Sequence, residues 1–177
     1  MTTKVKIIGL TCSVLFSVAG CPPKGSTDGP VPTAKLPAEV AGTWKAKDSP
    51  WRIVLTRDGR VSSAVFPMGE VTIRPNQTIR VEMKDGSFST YKAGNCTVEY
   101  SPETRELFVS IAVEEIHVVF TDNRVDGSST DKFVGPVSED GRQWAAEWMT
   151  MADYGPRFPM DANDMYAGPL LFEKVEQ

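Results

Sequence analysis

The chain contains a single histidine, His117, and its neighbourhood is the first place to look for metal or acid–base chemistry. If this stretch is a β-strand, Glu115 and His117 lie on the same face and could offer two ligands to a metal ion. A tetrahedral site needs three or four ligands, and no other histidine, cysteine or acidic residue stands at a telling spacing. We therefore expect a surface or internally hydrogen-bonded histidine. The sequence predicts no metal and no other cofactor.

Nucleophilic catalysis has no recognisable residue set in this sequence. There is no Gly-x-Ser-x-Gly motif and no glycine pattern of a nucleotide-binding loop. The adjacent acids Glu114 and Glu115 would point to opposite faces of a strand, so they do not form a catalytic pair. Cys96 lies in an alternating apolar stretch, where a cysteine packs as a small apolar side chain. The sequence predicts that the protein is not an enzyme.

Two segments rich in oxygen ligands, residues 126–131 (DGSSTD) and 161–168 (DANDMYAG), are similar in composition to calcium loops. The second segment does not follow the EF-hand template, because its glycine comes too late and no glutamate closes the loop. We interpret both segments as ordinary turns.

Residues 144–166 are rich in methionine and aromatic side chains. Three interpretations remain open: packing inside or across the mouth of a barrel, an adaptable apolar surface for a ligand or partner, and a Cu(I) site. The last would use the thioethers of Met149 and Met151, which share one face of a strand. Packing requires the fewest assumptions, and we favour it.

Apolar and polar residues alternate with a period of two along most of the chain after residue 50, as is typical of half-buried β-strands. The dipeptide Asp-Gly suits the tight turns of β-hairpins, and only residues 143–151 (QWAAEWMTM) leave room for a turn or two of helix. The sequence therefore predicts an all-β protein of about eight to ten antiparallel strands. Because an up-and-down β-barrel leaves no free strand edge, we expect a barrel, with a β-sandwich as the alternative. Within the predicted barrel domain, Asp-Gly occurs at residues 58–59, 85–86, 126–127 and 140–141.

The residues Gly42-Thr43-Trp44, followed by a strand, a turn and a strand up to residue 61, resemble the opening of lipocalin-like, calycin-type β-barrels. In that family the glycine stands at the start of the first strand and the tryptophan closes one end of the barrel. The chain is more similar to the lipocalin-like domains of bacterial lipoproteins than to true lipocalins. The resemblance implies an interior that binds a small ligand, lined here by Trp44, Leu55, Val109, Ile111, Val118, Trp144 and Trp148.

The N-terminal residues 1–21 have the form of a bacterial export signal. Lys4 and Lys6 precede an apolar stretch at residues 7–18, which is shorter than the ~20 residues that span a bilayer. The stretch leads into Val18-Ala19-Gly20-Cys21, which resembles the lipobox of bacterial lipoproteins. The resemblance implies cleavage before Cys21, acylation of its thiol and amine, and stable membrane attachment by more than one acyl chain.

These segments divide the chain into a lipoprotein signal peptide (1–20), a lipid-anchored flexible linker (21–37) and a single β-barrel domain (38–177). The linker is dense in proline, glycine, serine and threonine, so it has little to bury. The predicted location is the bacterial cell envelope. The outer membrane is favoured, because Pro22 rather than an aspartate follows the anchor cysteine.

Cleavage before Cys21 would remove Lys4 and Lys6 and change the formal net charge from -4 to -6. An acidic domain lacks the basic surface that binding to nucleic acid requires. We therefore predict a membrane-anchored lipoprotein whose lipocalin-like domain binds a small apolar ligand or an envelope component. The alternative is a protein-interaction or structural envelope lipoprotein without a small-molecule ligand, using residues 154–168 as its contact surface.

Overall fold

The computed structural model of the chain describes residues 35–82, 85–120, 123–157, 159 and 167–176. The described residues do not include the predicted signal peptide, the lipobox or nearly all of the predicted linker. They also leave out residues 161–166 of the second segment that is similar to a calcium loop. A short 3-10 turn at Met68–Glu70 accompanies ten β-strands. The strands are β1 (Gly42–Ala46), β2 (Arg52–Leu55), β3 (Val61–Phe66), β4 (Val71–Ile73), β5 (Thr78–Glu82), β6 (Phe88–Ser101), β7 (Glu106–Phe120), β8 (Asn123–Pro136), β9 (Gln143–Asp153) and β10 (Ala167–Val175).

The ten strands form one antiparallel sheet in the order β4-β3-β2-β1-β10-β9-β8-β7-β6-β5. Consecutive strands are neighbours everywhere except at β4 and β5, and the first strand pairs with the last, with Trp44 opposite Lys174. The sheet is therefore an up-and-down barrel that is nearly closed, with its seam between β4 and β5. Near the seam, the amide of Ala93 donates to the carbonyl of Gln77 over 3.0 Å. The predicted all-β barrel is confirmed, and the sandwich alternative is not the observed fold.

Three of the four Asp-Gly dipeptides are turns, as predicted. Gly59, Gly86 and Gly141 have φ values of 71°, 82° and 65° and lie between consecutive strands. The prediction is wrong at Asp126-Gly127, which lies inside β8. There, a Cβ on Gly127 would collide with the carbonyl oxygen of Asp153, so the glycine permits close approach of the backbone instead of a turn.

Residues 143–151, for which a helical turn was the alternative, are part of strand β9. Trp144 and Ala146 are buried, while Ala145 and Glu147, which alternate with them, are exposed. This alternation is a strand pattern, and pairing with β8 and β10 fixes it on both sides.

Strand β7 carries a β-bulge between Val113 and Ile116. Before the bulge the buried positions have odd numbers, such as Ile111 and Val113, and after it they have even numbers, such as Ile116 and Val118. An extra residue in one strand shifts the side-chain alternation by one position. The bulge therefore keeps apolar residues inside the barrel from Leu107 to Val118.

The barrel has two ends, which we name by the chain. The terminal end is where β1 begins and β10 ends, and the opposite end is where β6 begins and β9 ends. Trp44, Trp144 and Phe172 fill the terminal end, with ring centroids 6.2 Å apart for the two tryptophans and 4.7 Å apart for Trp144 and Phe172. Gly42 begins β1 and Trp44 is fully buried, which is the arrangement that the Gly-x-Trp resemblance implies.

Candidate binding site in the barrel interior

The structure places all seven predicted lining residues in or against one apolar core. Six of them are buried, with exposures between 0 and 6%, and Trp148 is partly buried. Contact of these side chains with a ligand stays a prediction. The six buried residues are Trp44, Leu55, Val109, Ile111, Val118 and Trp144.

The two tryptophans near the terminal end have their polar atoms occupied by the fold. The indole nitrogen of Trp44 donates to the carbonyl of Val40 over 2.8 Å, and that of Trp144 donates to the carbonyl of Gly135 over 3.1 Å. A buried donor that is already satisfied has no hydrogen bond left for a ligand. These two side chains therefore act as the floor of the interior.

Phe133 joins this floor to a second aromatic layer. Its ring packs edge-on against Phe172 at 5.7 Å and against Trp51 at 5.0 Å, and it stacks with Trp148 at 6.5 Å. Trp51 in turn contacts Phe66 at 6.0 Å. The interior is thus a continuous aromatic core that runs from the terminal end toward the opposite end.

Trp51 carries a polar atom that the fold leaves unsatisfied. It lies just before β2, its side chain is fully buried, and its indole nitrogen has no hydrogen-bond partner among the described residues. A buried donor without a partner costs about 1–3 kcal/mol. Such a group in an interior lined by rings is a site where a ligand acceptor could bind.

Asp131 is the second polar group in this interior, and the sequence analysis did not find it. The segment 126–131, which was interpreted as a turn, lies in strand β8. Asp131 is 2% exposed and receives hydrogen bonds from Ser129 Oγ at 2.9 Å and Trp148 Nε1 at 3.0 Å. Burial raises the pKa of this carboxyl above its ordinary value, against the opposing effect of its hydrogen bonds. One signal was available: Asp131 is in phase with the inward-facing Phe133.

Tyr154 follows β9 and is a further polar residue that packs against this interior. Burial raises the pKa of its hydroxyl, and electrostatic repulsion from the carboxylate of Asp131 adds to that effect. Tyr91 is buried and packs edge-on against Phe66 at 5.9 Å. Two tyrosines, one carboxyl group and one unpaired indole N–H therefore belong to the same aromatic interior.

His117 lies on the outside of the barrel, in a small ionic cluster. Its Nδ1 is 2.5 Å from Asp126 Oδ1, and Arg124 Nε is 2.5 Å from the other oxygen of the same carboxylate. Glu115 pairs instead with Lys92 at 2.7 Å. Among the described residues, no group of three or more His, Cys, Asp and Glu side chains could hold a metal ion.

Cys96 is half-buried in β6 and packs against the core. Burial raises the pKa of its thiol, and one backbone hydrogen bond acts in the opposite direction. A raised pKa disfavours the thiolate, which is the reactive form.

A groove of about 830 Å³ lies outside the barrel at the terminal end. Its lining mixes basic residues with acidic ones, so it offers no single charge to a ligand. The charged lining residues are Arg57, Asp140, Arg142, Glu173, Lys174 and Glu176.

Comparisons of the chain with protein-family models, curated proteins and solved structures give no significant match. The described part of the chain has no helix with the length and apolar character needed to cross a membrane. The interior geometry is therefore the main basis for a functional proposal.

Proposed function

We propose that the protein is a membrane-tethered lipoprotein whose lipocalin-like barrel binds a small, largely apolar ligand. The observation that carries this proposal is the combination of an aromatic interior with polar groups that the fold does not fully satisfy. Trp51 has an unpaired N–H, and Asp131 has a buried carboxyl group. Apolar sites with a few placed polar groups are the common form of small-molecule sites.

Support for the tether comes from the sequence, and the first described residues already pack against the barrel core. Leu36 is already buried, and its amide donates to the carbonyl of Arg57 over 2.9 Å. The predicted anchor at Cys21 is thus separated from the barrel by a short segment rich in proline and glycine. Two or more acyl chains on Cys21 would hold the protein stably at a membrane.

Native mass spectrometry of the protein, extracted with a mild detergent from cells that produce it, tests ligand binding. We expect a discrete excess mass that is lost on denaturation. Trp148→Phe should reduce the fraction of protein that carries the ligand. The substitution removes the indole N–H that donates to Asp131 and leaves a smaller aromatic ring against Trp51 and Phe133. Met149→Leu is the matched control, since Met149 is the neighbouring residue and is exposed. A protein that is free of added mass in fresh extracts contradicts the proposal.

The second candidate function is interaction with another envelope protein. The observation that favours it is the exposure of Met149 and Met151, at 36% and 41%, two residues apart on β9. Exposed methionines are frequent at adaptable protein interfaces. Photo-crosslinking from position 151 in intact cells tests this function, with the exposed position 72 on β4, five strands away in the sheet, as the control.

A further inference from the structure

Asp131 is an acidic residue on the inner wall of the barrel, in phase with Ser129 and Phe133 on β8. All three are buried, and Asp131 is only 2% exposed. Aspartate is rarely buried to this degree unless a cation pairs with it or its carboxyl group holds a proton. None of the ion pairs among the described residues includes Asp131. The ionised form of this carboxyl group therefore has no counter-charge in the described part of the chain.

The partners that Asp131 does have are neutral. Ser129 Oγ and Trp148 Nε1 each donate to one of its two oxygens, and the side chain of Thr150 also contributes a hydrogen bond. A carboxylate has about four acceptor sites, so these three hydrogen bonds leave one acceptor site for a further donor. Neutral donors orient the carboxylate but leave its negative charge uncompensated.

The surroundings of Asp131 are aromatic. Trp148 touches it directly and packs edge-on against Trp51 at 6.4 Å. Tyr154 is close enough for the charge of Asp131 to affect its hydroxyl, and it lies toward the opposite end of the barrel. The faces of tryptophan and tyrosine rings attract organic cations. A carboxylate beside such rings is a chemical environment that selects positive charge.

We propose that the ligand is an organic cation, namely a protonated amine with an apolar body, and that its ammonium group pairs with the carboxylate of Asp131. This inference rests on the proposed function, because it requires a ligand in the barrel interior. The apolar body lies against the rings of Trp51 and Trp148. A neutral molecule of the same shape gains only the ring contacts, and an anion is repelled by Asp131.

Two water-soluble probes of nearly equal shape test the inference. Phenethylamine is cationic at pH 7, and 2-phenylethanol is neutral. Each is titrated into the full protein in lipid nanodiscs while tryptophan fluorescence is recorded, with empty nanodiscs as the blank. We expect phenethylamine to bind about tenfold to a hundredfold more tightly, which is the range for a hydrogen bond to a charged group.

Two variants test whether Asp131 is the residue that causes the preference for phenethylamine. Asp131→Asn should abolish the preference for phenethylamine and leave the affinity for 2-phenylethanol within about twofold, since the ring contacts remain. Glu147→Gln removes the same charge from an exposed position next to Trp148 and should keep the preference. Circular dichroism establishes that each variant is folded.

The comparison on the unmodified protein decides the matter even if Asp131→Asn does not fold. Equal affinities for the two probes, or a preference that survives in Asp131→Asn, overturn the cation inference and leave the proposed function standing. If neither probe shows saturable binding, the cation inference and the proposed binding of an apolar ligand are both overturned. Preference for phenethylamine that depends on Asp131 supports both.

Discussion

At the residue scale, the buried indoles of Trp44 and Trp51 differ in one hydrogen bond. Trp44 donates to the carbonyl of Val40, whereas Trp51 has no partner among the described residues. Replacement by phenylalanine removes a similar volume at both sites, but only Trp44→Phe leaves a buried acceptor without its donor. We expect Trp44→Phe to lower the free energy of unfolding by about 1–3 kcal/mol more than Trp51→Phe. Urea unfolding of the ligand-free protein measures this, and equal losses would contradict the assignment.

Asp131 makes the stability of the ligand-free protein depend on pH. Burial raises the pKa of its carboxyl above the ordinary value of 3.8, so the folded state holds this proton more tightly than the unfolded state. The stabilisation is complete below pH 3.8 and is lost as the pH rises from there through the folded-state pKa. We therefore expect the melting temperature of wild type relative to Asp131→Asn to fall as the pH is raised over this interval.

Asp126 on the same strand provides the control with the opposite sign. Hydrogen bonds from Arg124 and then from His117 lower the pKa of its exposed carboxyl. Its stabilisation is present above pH 3.8 and is lost as the pH falls through the lowered pKa. The melting temperature of wild type relative to Asp126→Asn should thus increase as the pH rises. The melting temperature of wild type relative to Asp131→Asn should decrease over the same direction of pH change. Two differences with the same pH dependence would show that Asp131 is not held in a desolvated site.

At the scale of elements, Gly135 permits a close approach between β8 and β9. A Cβ at this position would collide with the carbonyl oxygen of Ala145, and the Gly135 carbonyl accepts the indole N–H of Trp144. Gly135→Ala must therefore push the strands apart and disturb the floor of the barrel. We expect a loss of about 1–3 kcal/mol or more in the free energy of unfolding, measured with urea.

The control for Gly135→Ala is Thr130→Ala on the same strand. Thr130 is only partly buried and lies between the inward-facing Ser129 and Asp131. Substitutions at such positions change stability by about 0.5 kcal/mol or less. A similar effect for both substitutions would mean that the close approach at Gly135 is not required.

The sequence pattern was informative about elements and much less so about sites. Alternation and Asp-Gly turns predicted a meander of strands, because local backbone preferences set both features. They failed at Asp126-Gly127, where contact with Asp153 on another strand decides the conformation. Asp131 was missed for a related reason. Only the pairing of β8 with β9 brings its side chain beside Trp148, which is 17 residues away in the chain.

At the scale of the whole molecule, both ends of the described chain lie at one end of the barrel. β1 begins and β10 finishes at the terminal end, where Trp44 and Trp144 form the floor. Asp131 and Tyr154 lie on the other side of that floor, toward the opposite end. This floor therefore separates the terminal end of the barrel from Asp131 and Tyr154.

The proposed membrane tether requires Cys21 to carry the lipid, and a clickable palmitate analogue fed to producing cells tests this requirement. We expect label in the wild-type protein and none in Cys21→Ser, because the thiol is the site of the first acylation in the proposed pathway. Cys96→Ser is the matched control and should keep the label, since Cys96 lies half-buried in β6. Label that persists in Cys21→Ser, or that disappears in Cys96→Ser, would contradict a lipid anchor at Cys21. Loss of the label in Cys21→Ser alone would support the proposed tether, with Cys21 as its attachment site.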